Sequence, residues 1–565
     1  MPGSTQTRRA VAALVGLTTF TVLTGCGSAG SQSDTEAPAA TTAITTAWPA
    51  DVTSLDPANL STGQDRALTR NIYQPLLSPK FAEQADGSLK FQGAEVVPLL
   101  AESWTTKDSS ITFKLRQGVK FHGTDDEVTA SDVKFSLSRI WKTPGVGDFK
   151  ANGLQSPDQI KVVDPSTVTI DFVTSAGKPT PVTPTLMAIF SQAYTSILDE
   201  DAVKPHVTDS DPTGSAWLRE NAVGTGPYAI TDRKPGTSIT LAASDDSWMP
   251  KPAYPDVNIQ ITTSGVSSLL RNQTINYADS GFTNAQVNTL GEAGLKVVWQ
   301  DTGFFDMFAI TAGPAEQVGA LADQRVRQAI AYALPYQDVL DNVAYGRGTR
   351  AKSIVMDSAP EYTPAWEQYT TDLDKANALM AEAGKPAIDV PLYYLQGDDD
   401  QTNTALLIQA NLTKIGIKAN LTPQTQAGLF DVVNARSQTE PGAKVGPPGL
   451  ELFNWSAWTD DPKIVIGYWA TKGGINNYPL WSSETVDADN AKFALQPTSA
   501  DRTAAYQQAQ KEIADAAPLI PMITTGAVTV TTPGIAGVSF SPTGSGRFWT
   551  LHPEGTASPV AQLVK

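Results

Sequence analysis

Cysteine and histidine are nearly absent from this chain. Its 565 residues include one cysteine, Cys26, and three histidines, His122, His206 and His552. A single thiol excludes disulfide bonds within the chain, so the fold depends on its hydrophobic cores. So few thiol and imidazole groups are also poor ligands for a transition metal. We therefore predict a protein without a metal centre or a cofactor.

Positive charge is scarce as well. The sequence has 41 lysine and arginine residues against 58 aspartate and glutamate residues, which gives a formal charge of −17 at pH 7. Phosphates of nucleic acids and anionic lipid surfaces repel a protein of this charge. The composition therefore argues against a nucleic-acid partner and against charge-driven binding to a membrane.

The local motifs of common enzyme classes are missing. The sequence contains no G-x-S-x-G, H-E-x-x-H or Walker A pattern. The acidic runs at 125–127 and 398–400 are better explained as solvated turns than as calcium sites. We therefore predict a binding protein and not an enzyme.

One segment near the start of the sequence has the layout of an export signal. Arg8 and Arg9 precede an uncharged apolar run over 10–23, which is too short for a lasting transmembrane helix. The stretch Leu23 to Cys26 resembles the lipobox of bacterial lipoproteins, which implies cleavage before Cys26 and lipidation of its thiol. The alternative for Cys26 is a buried structural thiol, since a nucleophilic thiol would need basic neighbours that lower its pKa. The arginine pair leaves the general secretory and twin-arginine export routes both open.

The composition changes after this segment. Residues 26–47 are rich in serine, threonine, alanine and proline, and such a segment buries too little apolar surface to offset the entropy of ordering it. We predict a signal peptide over 1–25 and a flexible tether over 26–47. The lipid would hold the protein at the outer face of the cytoplasmic membrane, each buried methylene contributing about 0.8 kcal/mol.

From residue 48 onward, strand-like and helix-like patterns alternate. The run at 111–115 has the period-2 alternation of a strand, and apolar residues at helical spacing follow an N-cap at Thr129 or Ser131. Further helices are predicted to begin near Asp323 and Asp372. Alternation of this kind over hundreds of residues predicts α/β lobes.

Six motifs occur in a characteristic order along this α/β region. Together they resemble the family 5 solute-binding proteins of ABC importers, the dipeptide, oligopeptide and nickel group, over roughly residues 48–540. The motifs are PLLAESW (98–104), TFKLRQGVKFHG with TASDVKFSLSRI (112–140), VGTGPY (223–228), DQRVRQAIAYAL (323–334), KANALMAEAG (375–384) and APLIPM (517–522).

The resemblance implies a two-lobed, periplasmic-binding-protein-like clamshell of type II with an extra domain inserted in the first lobe. By analogy, the first lobe runs over 48–300 with the inserted subdomain at about 80–215. The second lobe then runs over 301–518, and residues 519–565 return to the first lobe and form the C-terminal tail.

The same resemblance implies a function. The protein would capture a small extracellular solute between its lobes, in the first place a peptide, and deliver it to a membrane permease with its ATPase. We expect it to act as a monomer, held at the membrane through a lipid anchor. Two alternatives remain open: a receptor for a non-peptide ligand such as a sugar, an opine-like compound, a metal chelate or haem, and a sensory lipoprotein with the same fold.

The stretch FNWSAWTDDP at 453–462 matches a ligand-binding motif of the family. In its peptide-binding members, a tryptophan is followed three residues later by an aspartate that pairs with the peptide's amino terminus. Trp455 takes the tryptophan position here, but Trp458 replaces the aspartate. Asp460, two residues on, is a candidate substitute, and the tryptophan pair offers flat apolar faces to a ligand. The alternative for Trp458 is a place in the lobe core.

Four other aromatic residues are weaker candidates for ligand contact. Tyr73 matches an aromatic residue of the family at the rim of the cleft. Phe304 and Phe305 lie where the chain is expected to cross into the second lobe, and Phe282 follows a predicted first-lobe strand. For Tyr73, a position in the core is the alternative.

Overall fold

The structure is a computed structural model that describes residues 42–143, 145–425, 427–429, 431–432, 447–541, 544, 546–558 and 563. The side chains of residues 301–304 lie outside this description, as do Cys26, the predicted signal peptide and residues 26–41 of the predicted tether. None of the described helices is long and apolar enough to cross a membrane.

Strands and helices alternate along the described chain, as the sequence predicts. The strands are β1 (Ala43–Trp48), β2 (Leu77–Glu83), β3 (Leu89–Pro98), β4 (Ala101–Lys107), β5 (Ser110–Leu115), β6 (Ile160–Asp164), β7 (Thr167–Asp171), β8 (Tyr228–Lys234), β9 (Ser238–Ala243), β10 (Asp256–Ile261), β11 (Tyr277–Ala278), β12 (Lys296–Ile310), β13 (Thr349–Arg350), β14 (Ile388–Leu395), β15 (Ile417–Gln424), β16 (Leu450–Trp455), β17 (Leu519–Thr531), β18 (Ile535–Ala536), β19 (Ser539–Phe540) and β20 (His552–Pro553). The α-helices are α1 (Gly63–Ile72), α2 (Ala130–Arg139), α3 (Val146–Ala151), α4 (Pro184–Ala188), α5 (Glu200–Val203), α6 (Ser215–Leu218), α7 (Val266–Arg271), α8 (Asn284–Glu292), α9 (Ala315–Val318), α10 (Gln324–Ala333), α11 (Tyr336–Asn342), α12 (Leu373–Glu382), α13 (Asp399–Lys414), α14 (Pro462–Trp469), α15 (Glu484–Phe493) and α16 (Ala500–Ala516).

Local capping signals begin several of these helices where the sequence predicts. Thr129, and not Ser131, is the N-cap of α2, and its side chain and that of Asp132 form a reciprocal capping box. Asp323 and Asp372 cap α10 and α12 through their carboxylates.

The first lobe is built around a mixed sheet in the order β1-β10-β9-β8, with β1 and β10 parallel. Strand β1 corrects the predicted tether, which was expected to run to residue 47. Ala43–Trp48 pairs in register with Asp256–Ile261, and Ile44 and Trp48 are buried in the first-lobe core. These two apolar side chains make ordering the segment favourable, so only the part of the tether before residue 42 remains a prediction.

A second core belongs to the inserted subdomain. It surrounds the antiparallel sheet β4-β5-β7-β6 and takes its buried residues from Leu76 to Ile197. Leu198, Val203 and Leu218 pack instead in the first-lobe core. The predicted limit of about 215 is therefore too late, because the chain has already returned to the first lobe by Leu198.

The second lobe and the link between the lobes share one sheet, in the order β11-β17-β12-β16-β14-β15, with β13 paired to β17. Strands β12 and β17 run antiparallel through both lobes, and their register shifts between Gln300 and Phe304. At the crossing, a β-carbon on Gly526 would lie 2.0 Å from the carbonyl oxygen of Gln300, so only glycine permits this close approach. These two strands connect the lobes, and we call them the hinge.

The predicted boundary between residues 518 and 519 is wrong for β17. Leu519, Ile520 and Ile523 are buried in the second-lobe core, whereas Val530 belongs to a small first-lobe core beside α7 and α8. One apolar strand serves both lobes, so the chain changes lobe within β17 and not before it.

Candidate functional site

A cavity of about 310 Å³ lies where the first lobe, the inserted subdomain and the second lobe meet. We call it the interlobe chamber. Its lining combines aromatic rings with charges of both signs. The lining residues are Ala58, Asn59, Leu60, Ser61, Arg66, Arg70, Gly145, Asp148, Gln192, Ala193, Tyr194 and Trp458.

Trp458 is the second-lobe residue in this lining. It follows β16 in a short bent segment that ends where Asp461 caps α14. The side chain is partly buried and faces residues of the first lobe and of the inserted subdomain. The structure therefore places Trp458 in the cavity between the lobes, whereas its contact with a ligand stays a prediction.

Asp148 gives the chamber a carboxylate. It lies in α3 of the inserted subdomain and accepts hydrogen bonds from the hydroxyls of Tyr468, at 2.7 Å, and Tyr194, at 3.4 Å. Burial raises the pKa of Asp148, while the two hydroxyls and the nearby Lys463 ammonium favour its ionised form. A carboxylate thus shares a cavity with Trp458, although it comes from a different part of the chain than the motif led us to expect.

Two arginines of α1 form the basic part of the lining. Arg66 and Arg70 are four residues apart and so lie on one helix face. Arg66 donates a hydrogen bond to the carbonyl oxygen of Thr62 at 3.1 Å. The pKa of Arg70 is held well below its ordinary value by burial and by repulsion from Arg547 and Arg66, which the Asp279 carboxylate opposes.

Asp460 lies in a different cavity from Trp458. Its Oδ2 accepts a hydrogen bond from the Ser358 hydroxyl at 3.2 Å, and its carboxylate packs against Gly93 of β3. That cavity, of about 600 Å³, also contains Asp461 and Arg502. The structure does not bring Asp460 to the chamber of Trp458.

The remaining predicted residues do not line the chamber, although Phe305 and Trp455 are register partners in the paired strands β12 and β16. Trp455 packs edge-on against Trp469, with ring centroids 5.6 Å apart, at the margin of the second-lobe core. Phe305 is buried in that core and lines a further cavity of about 320 Å³ beside Arg350. Phe282 is partly buried against the small first-lobe core.

Tyr73 and Phe304 complete the predicted set. The Tyr73 ring is buried in the first-lobe core, and its hydroxyl accepts a hydrogen bond from the amide of Val223 at 3.2 Å. The backbone of Phe304 pairs with Thr525 in the hinge, and its side chain lies outside the described part of the structure.

Helix α14 joins the second lobe to the inserted subdomain, and three hydrogen bonds cross this interface. The Thr185 hydroxyl donates to Asp461 Oδ2 at 2.6 Å, Lys463 Nζ donates to Asn152 Oδ1 at 2.6 Å, and Tyr468 donates to Asp148 as described above. Burial lowers the pKa of Lys463 to about 8. The two lobes therefore hold each other through specific polar pairs around the chamber.

Sequence reasoning missed Arg66, Arg70, Asp148 and Tyr194. The spacing of the two arginines on a capped helix was a usable signal for a basic face. Asp148 and Tyr194 carried no such signal, because they meet Trp458 only after the chain has folded.

Comparison with known proteins identifies the family. A model of the bacterial extracellular solute-binding proteins, family 5 Middle, matches residues 95–477. The chain belongs to this family. Its members are solute-binding transport proteins of the extracytoplasmic space and not enzymes.

Individual relatives span most of the chain. Heme-binding protein A of Haemophilus influenzae is 27% identical over 504 residues, covering 82% of this chain and 85% of that protein. The dipeptide-binding protein of Escherichia coli is 27% identical over 468 residues, covering 76% and 81%. The structure resembles the periplasmic binding protein DppA of Helicobacter pylori in complex with the peptide STSA, with a TM-score of 0.72 at 22% identity over 91% of this chain and 98% of that one. The fold is thus the predicted two-lobed α/β clamshell.

Proposed function

We propose that this protein is the substrate-binding lipoprotein of an ABC importer, which captures a peptide between its lobes and delivers it to a membrane permease without chemical change. The observation that carries the proposal is the interlobe chamber, whose lining combines the Asp148 carboxylate and the Trp458 ring with two arginines. A peptide with free ends is itself dipolar. The dipeptide-binding protein of E. coli and the peptide complex of H. pylori DppA support this ligand class.

Asp148 is suited to the role that the family motif gives to an aspartate at the position of Trp458. A peptide ammonium removed from water needs a carboxylate partner, since an unpaired buried charge costs several kcal/mol. Asp148 offers that partner from the inserted subdomain, and Trp458 adds a flat face for the peptide chain or a side chain. In this proposal the carboxylate comes from the inserted subdomain, and the aromatic ring takes the position in the second lobe where the family motif has the aspartate.

Binding would then drive closure by a shift of populations. A ligand that touches both lobes binds the closed arrangement more tightly than the open one. The three hydrogen bonds between α14 and the inserted subdomain form only when the lobes are together, so they add to the stability of the closed form. The closed form is the state that a permease would recognise.

Mass spectrometry of ligands that co-purify with the protein, followed by calorimetry with the peptides found, tests the proposal. Asp148→Asn is expected to weaken peptide binding by about 30-fold or more, because it removes one partner of a buried charge pair. Trp458→Ala is expected to weaken it about tenfold. Asp125→Asn, at an exposed carboxylate, is the matched control. Unchanged dissociation constants for both chamber variants, or hydrolysis of the bound peptide, would contradict the proposal.

Haem is the second candidate ligand, favoured by the similarity to heme-binding protein A. The two aromatic rings of the chamber, Trp458 and Tyr194, could contact a flat macrocycle. An absorption band of haem that titrates to one equivalent, together with no peptide in the mass spectrum, would decide for this alternative.

The membrane anchor is a separate part of the proposal and rests on the lipobox resemblance around Cys26. Cys26→Ala is expected to release the protein from the membrane fraction, since the acidic body has no attraction of its own to anionic lipid. Retention of this variant after a salt wash would refute the anchor. Light scattering tests the proposed monomer.

A further inference from the structure

Arg547 is a buried cation that pairs with no carboxylate of the described residues. The residue is only 5% exposed and lies just before the buried segment Phe548–Thr550. Its guanidinium stands over the ring of Phe81, 4.9 Å from the centroid. Within the described chain, its Nη1 has no hydrogen-bond partner and no carboxylate forms an ion pair with it. Buried charges in proteins are normally paired, so this one calls for an anion.

The guanidinium borders a small cavity that adjoins the interlobe chamber. This cavity, which we call the Arg547 niche, has a volume of about 30 Å³. It shares Arg70 and Ala193 with the lining of the chamber, and the buried ring of Tyr73 forms part of its wall. A single water needs roughly 10–15 Å³, so the niche has room for one small polar group and not for a side chain.

The charges around the niche are unbalanced. Arg66, Arg70 and Arg547 are close enough for Arg547 and Arg66 both to lower the pKa of Arg70. The Asp279 carboxylate opposes this lowering of the Arg70 pKa. Burial alone lowers the pKa of Arg547, to about 10. Burial also lowers the pKa of Arg66, and the Asp65 carboxylate opposes this shift. Among the described residues, no carboxylate acts on Arg547. Three guanidinium groups thus stand against two carboxylates, which leaves a positive potential at the niche.

We propose that the Arg547 niche binds an anionic group of the captured ligand, a carboxylate being the group that fits its size and charge. This inference rests on the proposed function, because it assigns the second end of a ligand whose ammonium pairs with Asp148. Arg547 and Arg70 would donate charge-assisted hydrogen bonds to the anion. The carboxylate can be the C-terminus of a peptide or an acid group of another solute, and the experiment separates these sources.

Isothermal titration with tri-alanine, tri-alanine amide, citrate and inorganic phosphate tests the niche. The wild-type protein is expected to bind tri-alanine at least about 30-fold more tightly than its amide, because the amide leaves Arg547 without an anion. Arg547→Gln is expected to lose this preference and to bind both peptides equally weakly, and Arg547→Lys to restore part of it. Arg271→Gln, at an exposed arginine of α7, should behave as wild type.

The outcomes separate the two proposals. Equal binding of the acid and the amide by the wild-type protein would overturn the niche and leave peptide capture standing. This comparison uses the wild-type protein alone, so it does not depend on the folding of a variant. Binding of citrate or phosphate that depends on Arg547, with no binding of either peptide, would support the niche and overturn peptide capture. No binding of any of the four probes would overturn both.

Discussion

The two lobes meet at two places that differ in charge. One contains paired charges of opposite sign, and the other contains a cluster of carboxylates. At the α14 interface, the buried Arg502 has opposite charges beside it: it pairs with Asp461 at 2.5 Å and also with Glu361. On the other side of the hinge, Asp306, Asp398 and Asp400 surround a cavity of about 170 Å³, together with Arg347. We call these three acids the carboxylate cluster.

The carboxylate cluster is also an interlobe contact. The side-chain amide of Asn284, in α8 of the first lobe, donates to Asp400 Oδ2 at 3.0 Å, and Arg347 donates to the carbonyl oxygen of Asn284. Burial, and then repulsion from Asp398 and Asp400, raises the pKa of Asp306 to about 7.

The comparison shows that the buried Arg502 pairs and the carboxylate cluster differ in their response to pH near neutrality. Although burial opposes it, Asp461 and Glu361 raise the pKa of Arg502, so its guanidinium stays charged near pH 7. Asp306, in contrast, gains or loses its proton close to pH 7. Variants that remove one charge from each place should therefore change stability in opposite directions.

The largest effect is expected for Arg502→Gln. The guanidinium is 3% exposed, and its removal leaves two buried carboxylates, Glu361 and Asp461, without their counter-charge. We expect a loss of about 3–5 kcal/mol in the free energy of unfolding, measured by denaturant titration. Asp461 would also lose the group that orients it toward Thr185, so peptide affinity should fall as well.

Arg325→Gln is the control for this prediction. Arg325 pairs with Asp323 at 2.6 Å on the surface, where both side chains are about half or one-third exposed. An exposed pair is screened by water and contributes little to stability, so the loss should be much smaller. Equal losses for the two arginine variants would show that burial of the pair has no role.

An opposite sign is expected for Asp306→Asn. The raised folded-state pKa means that the folded protein holds a proton that the unfolded chain has released, so stability is full below about pH 4 and is lost as the pH rises through about 7. The amide variant avoids this loss and can still accept the hydrogen bond that Asn454 donates at 2.8 Å. A shift of about three pKa units corresponds to ~4 kcal/mol, and partial exposure of the side chain reduces the expected gain to about 1–3 kcal/mol at pH 8.

Thermal unfolding of this variant and the wild-type protein between pH 4 and pH 8 measures the effect. The difference should grow up to about pH 7 and then stay level. Asp389→Asn is the control, since Lys418 lowers the pKa of that exposed carboxylate and its removal should bring no gain at high pH. A constant difference at every pH would contradict the assignment of Asp306.

Features that depend on neighbouring residues are predicted from the sequence, whereas features that depend on residues distant along the chain are not. Helix starts at Thr129 and Asp323 depend on neighbouring residues and are predicted correctly. The start of β1 was missed because its pairing partner, Asp256–Ile261, lies some two hundred residues away. The boundary at 518 failed for a related reason, as one continuous strand enters two cores.

The chamber was only partly predictable for the same reason. The family motif pointed to Trp458, and the structure places this residue between the lobes. Asp148 comes from a separate subdomain, and no local pattern tells that it will lie in the same cavity. Arg547 appears unremarkable in sequence, since its missing counter-charge becomes visible only after burial.

The smallest effect is expected at the contact between Gly93 and Asp460, where a substitution tests closure of the lobes without removing a charge. A β-carbon on Gly93 would lie 2.3 Å from Asp460 Oδ2 across the two lobes. Gly118 has a similar left-handed backbone, with φ of 71° against 62°, but open space around it. Alanine at either position should cost about 1 kcal/mol of stability through backbone strain.

Only Gly93→Ala should also push the lobes apart, which we expect to weaken peptide binding several-fold and to raise the radius of gyration in small-angle scattering. If both variants bind peptide equally well, the contact does not limit closure.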